Sequence, residues 1–346
     1  MQPELERYSK QILFAGLGEE GQRRLLQGRV LLCGCGALGS VLAETLVRAG
    51  VGFVRIVDRD FVELSNLQRQ VLFDEQDVAE HLPKAISAAA KLRKINSDVE
   101  IDPIVADVDH TNIQQLTDGV DLILDGTDNF EIRFLINDIS LERGIPWIYA
   151  GVIGSHGQTM TIFPGETACL RCLIGAVPEP GTIETCDTAG ILGSAVNVIA
   201  SLEAVDAIKL LAGRRDLVSP SLLIVDVWDG SFRKISVEDL RERSDCPACK
   251  RDERDWLSGR QGSQTTILCG RNAVQVSPQQ KARVTFEELA DKLREAGTVD
   301  HNQYLLRLVL CNPDFEVTVF RDGRAIIKGT EDVGIARGIY SRYIGL

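Results

Sequence analysis

Apolar positions along this chain recur with two periods. Short segments rich in Val, Ile and Leu at 30–33, 53–57, 100–105 and 121–124 read as buried strands. The segments between them, at 40–49, 84–95, 110–116 and 130–143, repeat apolar residues every three or four positions, as helices packed on a sheet do. Helices at 4–14 and 19–26 precede the first strand, and strands at 147–152 and 158–163 follow the last helix of the alternation. A long helix begins near Ile191, and segments 222–227 and 232–236 form a hairpin across Asp229-Gly230. This order predicts an α/β fold built on a Rossmann-like sheet. No internal repeat is present. The charged stretch 251–262 reads as a linker between a domain over 1–250 and a small α+β domain over 263–346. The latter holds a strand, a helix at 286–296, a strand at 304–311, a hairpin across Asp322-Gly323 and a last helix at 333–343.

Composition narrows the class. A chain of 346 residues with 44% hydrophobic content can bury a sizeable core. Its first residues, MQPELERYSK, form no apolar signal region, so a cytoplasmic location is expected. The most apolar stretch, 189–213, carries Glu203, Asp206 and Lys209 and reads as a buried helix, so no membrane partner is expected. A net charge of -12 argues against a nucleic-acid partner.

Candidate chemistry begins at GCGALG, 34–39, between a strand and a helix. Gly34, Gly36 and Gly39 fit a phosphate-binding turn: glycines there allow the bend, the close backbone approach to phosphate and the tight helix packing. Asp58 ends the second strand at the spacing of a ribose-binding acid. Asn66, Arg69 and Gln70 occupy a short polar turn, and Lys84 follows Pro83 in the first turn of a helix, where a cation opposes the helix dipole unless an anion binds beside it. Asp128, in GTDN, is a carboxylate suited to a metal; Asn129 and Arg133 flank it as residues that shape the site. The set describes a site for a nucleoside triphosphate.

Nine cysteines in a reducing compartment point to metal binding or catalysis before disulfides. Cys169-Leu-Arg-Cys172 and Cys246-Pro-Ala-Cys249 are two knuckles able to give four thiolates to one tetrahedral Zn2+, the other reading being paired redox cysteines. Cys186 lies in a Gly- and Pro-rich loop just before the long helix, a position that can lower a thiol pKa; the bland reading is a small residue in a packed turn. Cys33 and Cys35 read as strand packing, and Cys269 and Cys311 as core.

RYSKQ (7–11), GCGALG, SNLQRQ (65–70), PKA (83–85), GTDN (126–129), the two knuckles and ETCDTAG (184–190) follow in an order that closely resembles one family. It is the ThiF/MoeB/HesA family of adenylyltransferases, which activate ubiquitin-like sulfur carriers and are related to ubiquitin-activating enzymes. The resemblance covers 4–250. The stretch 262–346, with CGRNAVQV and DGRAIIKGT, is similar to the tail of the longer bacterial ThiF proteins of thiamine thiazole synthesis. The resemblance implies that ATP adenylylates the C-terminal glycine of a ThiS-like carrier or, alternatively, a MoaD-like carrier of molybdopterin synthesis. It implies that Asp58 holds the ribose, that Asn66, Arg69 and Lys84 hold the phosphates, and that Asp128 binds Mg2+. It further implies that the zinc is structural, that Cys186 takes sulfur or joins the carrier covalently, and that a cysteine desulfurase is a further partner. A homodimer is implied too, in which the residue at position 10 reaches the partner subunit's site. Lys10 replaces the usual arginine there, keeping the charge and losing the fork geometry. Ser194 stands where the family commonly has a proline.

Two other classes compete with this one. A nicotinamide-dependent dehydrogenase would need a proton-transferring group, yet His81, His110, His156 and His301 form no evident catalytic cluster. A zinc scaffold without catalysis would be expected to lack Arg69, Lys84 or Asp128, and all three are present.

Overall fold

The computed structural model describes residues 3–175, 190–261, 265–268, 271–277, 284–294, 296–310 and 315–344. They form two compact units, the first ending at Gln261 and the second starting at Thr265. In the first, eight strands form one mixed sheet: β1 (Arg29–Cys33), β2 (Phe53–Val57), β3 (Glu100–Ile104), β4 (Leu122–Asp125), β5 (Trp147–Ile153), β6 (His156–Ile162), β7 (Ser221–Asp226) and β8 (Ser231–Ser236). Their spatial order is β3-β2-β1-β4-β5-β6-β7-β8. Pairing is parallel from β3 to β5 and antiparallel from β5 to β8.

The parallel strands are apolar on both faces because both faces are covered. Val30 and Leu32 of β1 join one core, with the helices Ala37–Ala49, Lys84–Ile95 and Gly193–Leu211; Leu31 and Cys33 join the other, with the helix Phe130–Arg143. β4 splits the same way, Leu122 and Leu124 against Ile123, and β5 sends Ile148 and Ala150 to the first core and Trp147 and Tyr149 to the second. This period-two division is what a continuous apolar strand in an α/β sheet encodes.

The expected alternation of strand and helix is present, with differences at its edges. The helix after the phosphate loop starts at Ala37, not at residue 40, because Gly36 leads straight into its first turn. The N-terminal helix expected over 4–14 is a 3-10 segment, Pro3–Tyr8, followed by the single turn Ser9–Ile12. A helix absent from the expectation, Glu75–Ala79, is set by local chemistry: the Asp74 carboxylate caps it by accepting from the backbone of Gln76 and Asp77, and Lys91 pairs with Asp74 and Asp77. Gly193–Leu211 buries Glu203 on its inner face, and among the described residues no helix is long and apolar enough to cross a membrane.

The charged run after Cys249 is packed on the first unit. Trp256 is 8% exposed, stacks near Phe134 with ring centroids 5.6 Å apart, and its backbone N–H, like that of Leu257, donates to Asp138 Oδ2 at 3.0 and 3.3 Å. Charge density hid two aromatic and aliphatic anchors in that run. The second unit is a six-stranded antiparallel sheet in the order β11-β12-β13-β14-β10-β9, from β9 (Thr265–Leu268), β10 (Ala273–Val276), β11 (Gly297–His301), β12 (Leu305–Leu310), β13 (Glu316–Phe320) and β14 (Ala325–Lys328). The helices Phe286–Leu293 and Val333–Tyr343 give Phe286, Leu289, Ala336 and Tyr340 to its core.

Burial pushes the Asp138 carboxyl up to about 6, against the opposing pull of the two backbone donors, Arg254 and Arg171. The native state therefore keeps a proton that the unfolded chain loses near pH ~4, and stability falls as pH rises from about 4 to about 6. Urea unfolding across that window should show wild-type stability declining relative to Asp138→Asn by about 2 kcal/mol, with parallel behaviour above it. Parallel pH dependence throughout would contradict this assignment.

Candidate active site

Three backbone segments meet where β1 and β4 end. Gly34 has φ +91°, its N–H donates to Val57 O at 2.8 Å, and the N–H of Gly126 donates to Cys33 O at 2.8 Å. A Cβ on Gly39 would lie 2.1 Å from the Gly34 carbonyl oxygen, and one on Gly126 would lie 2.3 Å from the same atom. Gly34, Gly39 and Gly126 are thus demanded by the protein's own packing. Gly36 is different: a Cβ there would meet nothing nearer than Gln70 Nε2 at 3.8 Å and Gly126 O at 4.0 Å. The space above Gly36 opens onto the N-terminus of Ala37–Ala49, which has no side-chain cap and no acidic residue in its first turn. Such an end carries unpaired N–H groups and partial positive charge, the combination that receives a phosphate.

Asp58 is fixed against this loop. Its Oδ2 accepts from the Cys35 N–H at 2.6 Å and its Oδ1 from the Asp60 N–H at 2.7 Å. Burial raises its carboxyl above the usual range, opposed chiefly by the charge of Lys84. Lys84 itself is 2% exposed, and its Nζ lies 3.1 Å from Asp60 Oδ2. Beside it, burial pushes the Arg59 guanidinium down, and the charges of Asp107, Asp60 and Asp128 more than reverse this. Asp128 is exposed in the loop that follows β4, and its charge, like those of Asp107 and Asp60, acts on Arg59.

The residues behind that loop are buried. Arg133 Nε pairs with Asp125 Oδ2 at 2.8 Å, and its Nη2 donates to the carbonyls of Thr127 at 2.7 Å and Ala150 at 2.9 Å. Asn129 caps Phe130–Arg143 by accepting from the backbone of Glu131 and Ile132. Glu203 accepts from the Asp125 N–H at 3.2 Å, and burial followed by the charge of Asp125 raises its carboxyl well above the usual range. These contacts fix the backbone that presents Asp128. In the sequence neither Asp125 nor Glu203 carries a role: Asp125 ends an apolar strand just before GTDN, and Glu203 is a carboxylate within the most apolar helix.

The turn carrying Asn66 and Arg69 is built locally. Asn66 Oδ1 accepts from the Glu63 N–H at 3.1 Å, and Arg69 Nη1 donates to Ser65 O at 2.8 Å. Asn66 is buried and Arg69 half-buried, and Gln70 joins this turn to the space over Gly36. Lys10 is placed elsewhere. It is exposed on Ser9–Ile12, whose Gln11 donates to Ala49 O at the far end of the helix that begins at the phosphate loop, about 18 Å along its axis. Cys33 and Cys35 are fully buried, with thiols raised by burial, in keeping with a packing role. Cys186, Cys269 and Cys311 lie outside the described residues.

The two knuckles converge on the other side of the sheet. Cys169 Sγ lies 3.8 Å from Cys172 Sγ and 3.5 Å from Cys246 Sγ, and Cys172 Sγ lies 3.4 Å from Cys249 Sγ. All four sulfurs fall within 4.8 Å of one another. Zn–S bonds of about 2.3 Å in a tetrahedron set sulfurs about 3.8 Å apart, so the donor set fits zinc. Ser244 Oγ donates to Cys172 Sγ at 3.3 Å, and the apolar core around Trp147 and Leu170 surrounds the cluster.

Residues 8–248 match the ThiF family. The chain belongs to the ThiF family. It is 44% identical over 340 residues to the "Sulfur carrier protein ThiS adenylyltransferase" of Bacillus subtilis, covering 98% of this chain and 99% of that protein. It is 40% identical to the "SAMP-activating enzyme E1" of Haloferax volcanii, over 71% of this chain and 89% of that one, and 37% identical to "Adenylyltransferase and sulfurtransferase MOCS3" of Sus scrofa, over 84% of this chain and 64% of that one. Among solved structures, E. coli MccB with ATP has TM-score 0.61 at 24% identity, covering 70% of this chain and 74% of that one, a likeness of fold.

Four thiolates from two distant segments could hold one zinc ion, which would clamp 169–172 to 246–249. Elemental analysis should find about one zinc per chain, and Cys249→Ser should release it and lower the melting temperature by about 10 °C. A metal-free protein that melts like the wild type would rule the clamp out.

Proposed function

We propose that this protein adenylylates the C-terminal glycine of a ubiquitin-like sulfur-carrier protein of the ThiS type, in thiazole synthesis for thiamine. The observation that carries this reading is the 44% identity to the Bacillus subtilis protein across nearly the whole of both chains, the second unit included. A MoaD-like carrier is the second reading, favoured by the match to MOCS3. The glycine carboxylate attacks the α-phosphorus of ATP; the new bond is carbon-carboxylate oxygen to phosphorus, the bond broken joins the α-phosphorus to the bridging oxygen, and pyrophosphate leaves. The acyl-adenylate supplies the leaving group that later sulfur transfer needs.

In this reading Gly36 lets the phosphates reach the N-terminus of Ala37–Ala49, and Asp58 holds the ribose. Its two backbone donors consume the outer geometry of that carboxylate and orient the rest toward the sugar. Lys84 leaves Asp60 to meet the phosphates, which Asn66 and Arg69 also hold. Asp128 would hold Mg2+, which would supply positive charge against the phosphates. Arg133 and Asp125 keep the Asp128 loop in place. Such catalysis is chiefly positioning and charge stabilisation. Lys10, beside the end of Ala37–Ala49 that lies away from the loop, serves the site of the partner subunit in a homodimer. Cys186 enters only after adenylation, when sulfur arrives from a cysteine desulfurase or the carrier is held covalently. A cytoplasmic location fits this reading.

Pyrophosphate exchange into ATP should require magnesium and a carrier ending in Gly-Gly. Asp128→Ala, at an exposed position, should reduce exchange by at least about a hundredfold with an unchanged melting temperature, whereas Cys186→Ser should keep exchange within a few-fold. Tighter binding of NAD than of ATP, with no exchange with any such carrier, would overturn the proposal.

A further inference from the structure

Among the described residues around the glycine loop, the roles above leave the cation Arg59 without a use. It stands between Asp58 and Asp60 in the chain, and its side chain is largely buried. Its Nη1 pairs with Asp107 Oδ1 at 2.6 Å, and its Nε lies 3.6 Å from Asp60 Oδ1. The other oxygen of Asp60, Oδ2, holds Lys84 Nζ at 3.1 Å. Charges thus alternate along a line, Lys84, Asp60, Arg59, Asp107. The line joins the loops after β2 and β3 to the first residue of Lys84–Ile95.

The acids of this line are anchored and the lysine is not. The Asp60 N–H donates to Asp58 Oδ1 at 2.7 Å, and the Asp60 carbonyl accepts from the Lys84 N–H at 2.9 Å, so the Asp60 backbone is held on both sides. The Asp107 carbonyl accepts from Asn112 Nδ2 at 2.6 Å. A lysine side chain that turns from Asp60 to a polyphosphate therefore leaves a part-buried carboxylate behind, next to the like charge of Asp58. Such a carboxylate draws the lysine back unless another cation meets it. Arg59 is placed to do so. Its Nη1 stays on Asp107, its Nε already faces Asp60, and a guanidinium is always charged and has donors enough for both acids. We propose that Arg59 is a positioning residue that takes over the Asp60 carboxylate when Lys84 turns to the phosphates, and so sets how readily Lys84 changes partners.

This inference rests on the proposed role of Lys84 toward a nucleoside triphosphate, and it is independent of which carrier is used. The test is a double-mutant cycle read by calorimetric titration of the whole chain, purified with zinc. The titrants are a non-hydrolysable ATP analogue with magnesium and, separately, adenosine. Arg59→Met should weaken the analogue about tenfold and leave adenosine unchanged within about twofold. In an Asp60→Asn background the same change should cost less than about twofold, because no carboxylate is left to recapture Lys84. Arg59→Lys keeps a cation beside Asp107 and serves where Arg59→Met fails to fold; it should lose about threefold, and that loss too should vanish with Asp60→Asn. An equal loss in both backgrounds would mean that Arg59 touches the ligand or merely holds the fold, and would overturn the proposal. A wild type that does not bind the analogue with magnesium would overturn the nucleotide reading and this inference with it. Coupling between Arg59 and Asp60, with no pyrophosphate exchange with any Gly-Gly carrier, would sink the adenylation reading and leave this inference standing.

Discussion

The contact on which the site depends is between backbones. At the ends of β1 and β4, and at the start of Ala37–Ala49, Gly34, Gly39 and Gly126 approach so closely that no Cβ fits between them. That approach brings three loops to one place. The loop after β1 presents unpaired N–H groups, the loop after β2 carries Asp58, and the loop after β4 carries Asp128. The sheet order makes this unavoidable, because β1 lies between β2 and β4 and all three run parallel, so their C-terminal ends open on the same edge.

Around this backbone contact the charges are arranged in opposed pairs. Lys84 is buried and held by Asp60, Arg59 by Asp107, and Arg133 by Asp125. Breaking a buried pair by removing one partner costs about 3–5 kcal/mol, so each cation is kept at its post by an acid beside it. An arriving polyphosphate changes partners for Lys84 alone among these three in the proposed reaction. The Arg133–Asp125 pair stays closed and acts as the floor beneath Asp128. The four-cysteine cluster, whose donor set fits zinc, joins a different part of the unit, the start of Leu170–Leu173 and the segment that leads to Trp256.

Much of this was legible in the sequence, for reasons that differ by element. Lys84–Ile95 and Phe130–Arg143 begin and end where the chain signals it: Pro83 and Asn129 stand at their N-caps and Gly144 ends the second with a left-handed residue. The four cysteines announced themselves by spacing, since C-x-x-C sets two thiolates on one turn and two such turns make a tetrahedron. The short helix Glu75–Ala79 was missed because side-chain caps, not apolar period, create it. Trp256 was missed because charged neighbours outvoted it. Asp125 and Glu203 were visible as charges in apolar segments, but their contact with each other follows from the helix packing on the strand, which has no sequence signature.

A Cβ has room over Gly36, where the proposed nucleotide would lie, and none at Gly39, where it would meet the backbone of the fold. The most direct measurement compares Gly36→Ala with Gly39→Ala by thermal unfolding and by titration with magnesium-ATP. Gly36→Ala should keep the wild-type melting temperature and lose nucleotide affinity by at least about tenfold, whereas Gly39→Ala should lose on the order of 1–3 kcal/mol of stability or more, since its Cβ would meet a backbone oxygen. Full nucleotide affinity in Gly36→Ala, or an undiminished melting temperature in Gly39→Ala, would contradict the account.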